Sequence, residues 1–181
     1  MSVVAPEDVL TFWRAAGPPK WFRKNVDFDR EITQRFLACH EAAAAGGLAE
    51  WEATPEGALA LLILLDQFPR NMFRDSARAF ATDPLARAVA ERAVARGLHR
   101  QMPSGERMFF QLPFEHSENL ADQERSLALS REINGGKADS YAEGHADIIR
   151  RFGRFPHRNA TLGRLTTPEE QAFLDGGGFA G

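Results

Sequence analysis

Apolar and polar positions along this chain recur at helical spacing, and no segment alternates with the two-residue period of a strand. Phe28, Ile32 and Phe36 fall at i, i+4 and i+8 and mark one face of a helix that ends near Gly46-Gly47. Thr54-Pro55, Asp83-Pro84 and Thr167-Pro168 read as helix starts, each with a side-chain oxygen to cap free amides and proline at the first helical position. Thr167 also has Glu170 three residues on, the spacing of a capping box. Gly17, Gly97 and Gly153 suit the left-handed stop position. The pattern predicts helices over about 6–16, 27–45, 55–68, 83–96, 104–111, 119–133, 138–152 and 168–174.

These elements make an all-α protein: one compact domain of about eight helices spanning 1–181, with 176–181 as a flexible glycine-rich tail. The helix from Pro55 carries Ala58 to Leu65, apolar all round, so other helices must enclose it. That run is far short of the roughly 20 residues that span a bilayer. The N-terminus turns acidic at Glu7-Asp8 before any apolar stretch develops, unlike a signal peptide, and the lone Cys39 asks for no oxidising compartment. A cytoplasmic protein with no membrane partner is the expectation.

The net charge of −3 argues against a nucleic-acid-binding protein. Against that background Arg150 to Asn159 packs four arginines and a histidine into ten residues, and the next acid after Asp147 is Glu169. Earlier, Gln67-Phe68-Pro69-Arg70-Asn71 uses the same chemistry as Phe155-Pro156-His157-Arg158-Asn159. Both read as turns. Arginine suits carboxylate and phosphate because its planar fork makes two parallel hydrogen bonds. One reading therefore makes Arg70, Asn71, Arg154, Arg158, Asn159 and Gln67 ligands for an anionic small molecule, with Asn159 capping a following helix. The other pairs the same arginines with acids such as Asp66, Glu118 or Asp122 and holds helices in register.

Candidate chemistry centres on His116, set on a turn between Pro113, which ends one helix, and Ser117 or Asn119, which caps the next. His116 or His157 would move a proton, and Asp66 or Glu118 would orient it. His145 lies on an apolar stripe with Ile148, Ile149 and Phe152, while His40 and His99 fall in no pattern. No cofactor and no metal are implied by motif. Were a metal bound, His116, His145, His157 and Glu118 would be its first ligands to test. Whether the protein is an enzyme stays open.

The strings Leu64-Leu65-Asp66-Gln67-Phe68-Pro69-Arg70-Asn71-Met72-Phe73-Arg74, Leu112-Pro113-Phe114-Glu115-His116-Ser117-Glu118 and Arg151 to Asn159 are distinctive. With Val9-Leu10-Thr11-Phe12-Trp13 and Trp21-Phe22, they resemble the bacterial domain-of-unknown-function family 924 over nearly the whole chain. The resemblance implies an all-α fold like tetratricopeptide helical stacks, and no activity. It opens an alternative function: a scaffold whose protein partner docks on aromatics from the set Phe12, Trp13, Trp21 and Phe22, although core packing is the expected fate of most of them.

Overall fold

The computed structural model describes residues 4–179 and is all-α, with no strand among them. Ala180 and Gly181, the end of the expected tail, lie outside the described residues. Two compact groups of residues form: 1–74 with 78–113, and 75–77 with 114–181. No helix among the described residues is long and apolar enough to cross a membrane.

In the first unit, α1 (Pro6–Ala16) buries Val9, Leu10, Phe12 and Trp13, and α2 (Pro18–Trp21) follows after Gly17. Trp21 donates its indole N–H to the Trp13 carbonyl at 2.7 Å, and the two indoles stack at 5.5 Å. Phe12 and Trp13, expected on a docking surface under the scaffold reading, are core residues, with Trp13 only 2% exposed. Phe22 is 56% exposed. Helix α3 (Val26–Ala44) starts under the Asn25 cap and buries Phe28, Ile32 and Phe36 as their spacing requires.

Helix α4 (Pro55–Leu62) begins under the Thr54 cap and is enclosed from Gly57 onward. A Cβ at Gly57 would collide with the Trp51 carbonyl, so only glycine lets this helix approach the preceding turn. Beyond Leu62 the helix neither stops nor continues regularly. Ile63–Gln67 forms one π turn, and α5 (Phe68–Met72) carries the chain on. The Phe-Pro-Arg-Asn segment is therefore helical, not a turn.

Pro69 accounts for the irregularity. It has no N–H to give the Leu65 carbonyl four residues back, and its ring crowds that carbonyl. The chain widens, and the Phe68 N–H bonds Ile63 instead of Leu64. Two buried carbonyls are released, and both find side-chain donors. His40 Nδ1 lies 2.8 Å from the Leu64 oxygen, and Thr82 Oγ1 donates to the Leu65 oxygen at 2.6 Å. Because a carbonyl only accepts, His40 carries its proton on Nδ1. Thr82 thereby takes the cap position of α6 (Asp83–Ala95), and Asp83, expected as the cap, is the first helical residue with its carboxylate turned elsewhere.

The division between units falls inside α7 (Met108–Glu115), which begins after a separate short turn at Ser104–Glu106. Pro113 does not end this helix, as its sequence position suggests. It lies in the last turns, where the lost hydrogen bond is near the helix end.

In the second unit, Asn119 caps α8 (Leu120–Ile133) and Asp139 caps α9 (Ser140–Phe152). Leu127, Ala138, Ala142 and Ala146 form a tight core where small side chains let these two helices approach. Gly153 stops α9 in the left-handed conformation at φ 68°. Thr167 and Glu170 complete the expected capping box of α10 (Pro168–Asp175). Phe152 and Phe173 then pack against Ile148, Ile149 and Phe155.

Thr82→Val keeps the side-chain shape and removes the donor to the Leu65 carbonyl. A buried carbonyl left without its partner costs about 1–3 kcal/mol. Thermal unfolding of this variant is expected to drop by several degrees. An unchanged Tm would show that the π turn does not need Thr82.

Candidate functional site

Within the first unit, α5 and the π turn deliver Asp66, Gln67, Arg70 and Asn71 into a network already closed. Arg70 makes a bidentate pair with Asp83 at 2.9 and 3.0 Å and reaches Asp66 Oδ1 at 3.1 Å. Gln67 donates to the other Asp66 oxygen at 2.6 Å. Asn71 and Arg74 share Asp29, the arginine again bidentate. Burial works against the Arg70 charge, but Asp66 and Asp83 outweigh it and hold its pKa above the ordinary value. Asp66, only 1% exposed, has both oxygens occupied, which is the geometry of a structural carboxylate.

In the second unit a chain of polar contacts links three loops. Arg164 grips Glu118 at 2.7 and 2.9 Å and also donates to Asn159 Oδ1 at 3.0 Å. Asn159 donates to Glu170, and Arg154 grips the same Glu170 at 2.6 and 2.8 Å. Asn159 is fully buried and does not cap a following helix. Its side chain joins the two ion pairs instead. Arg154, Asn159 and Glu118 are thus brought together by two residues that sequence reasoning did not single out for this role, Arg164 and Glu170. Glu170 was legible as a cap. Arg164 carried no signal, since its partner lies 46 positions away.

Burial raises the Glu118 pKa, but the Arg164 hydrogen bonds and the Phe155 amide overcome it and leave the carboxyl below its ordinary range. The hydrogen bond from Arg154 holds Glu170 down at about 2.

The histidines form a third group, also within the second unit. Gln123, fully buried, donates to the carbonyls of Glu115 and Ser117 at 2.7 and 2.6 Å and shapes the turn that carries His116. The His116 and His145 rings are 6.4 Å apart, and His145 and His157 both meet Phe155. Arg158 is buried with its guanidinium over the Phe155 ring at 4.6 Å. His145 Nδ1 lies 2.8 Å from the Tyr141 carbonyl, so the proton is on Nδ1 and Nε2 is an acceptor. The same nitrogen is 3.3 Å from Glu115. Burial pushes both His145 and His157 down to about 4, with the Arg158 charge adding to it, so both rings are neutral at pH 7. Among the described residues no group of three His, Cys, Asp or Glu side chains stands in a metal-holding arrangement.

Beside this group runs a groove of about 340 Å³ along α9 and α10. Ile148, Phe152, Phe173 and Phe179 make its apolar walls, and Ser140, Tyr141, His145, Asp147 and Arg151 are its polar points, with Asp147 already paired to Arg150. Arg151 lies over the Phe152 ring at 4.5 Å and the Phe173 ring at 5.8 Å, and no carboxylate among the described residues pairs with it. Its neighbour Arg150 is held by Glu124 and Asp147.

The sequence model of the family described as "Bacterial protein of unknown function (DUF924)" matches residues 9–178. The solved structure of a protein of unknown function from Agrobacterium tumefaciens is 46% identical, with a TM-score of 0.90. The match covers 94% of this chain and 97% of that one. No curated protein matches.

The shifted groups set a pH dependence. His145 and His157 have folded pKa values near 4 against an ordinary 6.5, so the unfolded chain binds more protons between those limits. Stability is expected to fall as pH drops from 6.5 towards 4. Glu170, depressed from 4.5 to about 2, adds a second loss below pH 4.5. His157→Phe should make the first limb of a Tm-against-pH curve shallower, leaving the His145 share, and should leave the second limb unchanged. An unchanged first limb would mean His157 titrates normally in the folded protein.

Proposed function

The chain belongs to this DUF924 family, and we propose that its second unit binds a small anionic molecule with an apolar body in the groove along α9. The observation that carries the reading is Arg151. Arg70, Arg74, Arg154 and Arg164 each make a bidentate pair with an internal carboxylate, whereas Arg151 is held on two aromatic faces with its hydrogen-bonding fork uncommitted. Stacking keeps the guanidinium flat and in place without neutralising it, which suits a carboxylate or phosphate. The groove volume falls in the range of small-molecule sites, and its exposed walls are mostly apolar, as such sites are.

This keeps the expectation of an anionic ligand and moves it to a different arginine. His145 supports it further. Its neutral ring presents Nε2 as an acceptor, so a ligand hydroxyl or N–H would add specificity without another charge. No reaction is assigned to the site. A peptide scaffold has less behind it, because Phe12 and Trp13 are spent in the core.

Thermal unfolding against a panel of aliphatic and aromatic carboxylates and phosphates tests the reading. A ligand at 100 times its Kd is expected to stabilise the fold by about 2.7 kcal/mol. Arg151→Ala should abolish that gain while changing the ligand-free stability by no more than about 0.5 kcal/mol, as for an exposed side chain. A panel without any shift, or a shift that survives in Arg151→Ala, counts against it.

A further inference from the structure

Phe179 occupies one wall of the groove in an unusual way. It follows Gly176-Gly177-Gly178, and those three glycines fold the chain back onto α10. Gly177 takes φ +80°, and the Gly178 amide donates to the Phe173 carbonyl at 2.9 Å. A Cβ at Gly178 would come within 2.5 Å of the Phe173 ring, so the close return of this segment depends on glycine. The returned Phe179 ring packs on His145 with centroids 4.6 Å apart and stands edge-on to His157 at 5.1 Å. It is 36% exposed, so the ring is partly covered although the segment leading to it is mostly open.

His157 makes this contact informative. Its Nδ1 is buried and has no hydrogen-bond partner among the described residues. A buried polar atom is nearly always satisfied, and the phenyl ring that stands against His157 can neither donate nor accept. Both imidazoles thus pack against the ring of an apolar side chain on a glycine tether, and His157 keeps hydrogen-bonding capacity that this contact does not use.

We infer that Phe179 is an internal plug standing where a ligand's aromatic ring binds. The ligand is a small planar aromatic acid whose ring stacks on His145 and reaches His157, with its carboxylate or phosphate on Arg151. The inference rests on the reading of the groove as a ligand site and names the ligand's class. Its consequence is competition. While Phe179 is seated, only the fraction of molecules with the plug displaced is competent for the ring, and the apparent affinity is lowered by that fraction.

Phenyl phosphate and inorganic phosphate are the probes, titrated by calorimetry into wild type, Phe179→Ala, Phe179→Leu and Arg151→Ala. The ring resonances of His145 and His157 are followed by NMR in parallel. Phe179→Ala is expected to bind phenyl phosphate at least about tenfold more tightly than wild type, equivalent to 1.4 kcal/mol. Inorganic phosphate, which has no ring to place, should not distinguish the two. Phe179→Leu, which keeps most of the bulk, should stay near wild type, and phenyl phosphate should move the His157 resonances. Equal affinity of wild type and Phe179→Ala for phenyl phosphate, still lost in Arg151→Ala, would overturn the plug and leave the groove reading standing. Absence of binding in every variant would overturn both.

Discussion

A proline inside a helix that water does not reach organises the first unit. Pro69 cannot bond the Leu65 carbonyl, and in a buried helix no solvent molecule substitutes for the missing donor. The chain answers by widening into a π turn, which moves the deficit to Leu64 and Leu65 and makes His40 and Thr82 necessary. The same turn sets the direction in which Asp66 and Gln67 leave the helix. Asp66 then needs a cation, Arg70 needs more than one carboxylate to offset its burial, and Asp83 supplies the second. A single missing N–H is thus traceable through six side chains.

The ion pairs that result are not strong evidence of stability in themselves. Desolvating two charges costs about as much as their attraction returns, and what such pairs enforce is that neither partner can be removed alone. Glu170 and Arg154, with Asn159 between Glu170 and Arg164, make such a unit in the second half of the chain. A site built from these arginines would have to break an existing ion pair to admit a ligand. This is why abundance of arginine is a poor guide to anion binding here, and why Arg151, held on two aromatic rings, matters more.

The sequence carried the helices well because their signals are local. Caps at Thr54, Asn119 and Thr167, the Phe28-Ile32-Phe36 stripe and the Gly153 stop all act within one or two turns. It misled at both internal prolines. Pro69 and Pro113 read as breaks, yet surrounding packing keeps both segments helical, with side-chain donors compensating at Pro69 and the helix end lying close at Pro113. The site was less legible for a related reason. Composition left open whether the arginines pair with acids or face a ligand, and the pairs Arg70 with Asp83 and Arg164 with Glu118 are choices made by the tertiary fold. Arg151 stood in plain view within the basic stretch, and only the pairing of its neighbours separates it from them.

The neutral histidines complete the contrast between the polar groups of the second unit. Glu118 and Glu170 are charged, gripped and inward-directed, so their chemistry is spent on holding loops together. His145 and His157 are kept uncharged by burial beside Arg158, and each packs against an aromatic ring, although His145 also lies 3.3 Å from Glu115. An uncharged imidazole against a ring gains little from electrostatics and keeps its hydrogen-bonding capacity for whatever lies in the plane. In the proposed site an arginine without a carboxylate partner stands near these rings, and the two features together would select a ligand by shape and by one charge. On the same reading the site is inexpensive to leave idle, because Phe179 packs on both imidazoles in the absence of a ligand ring.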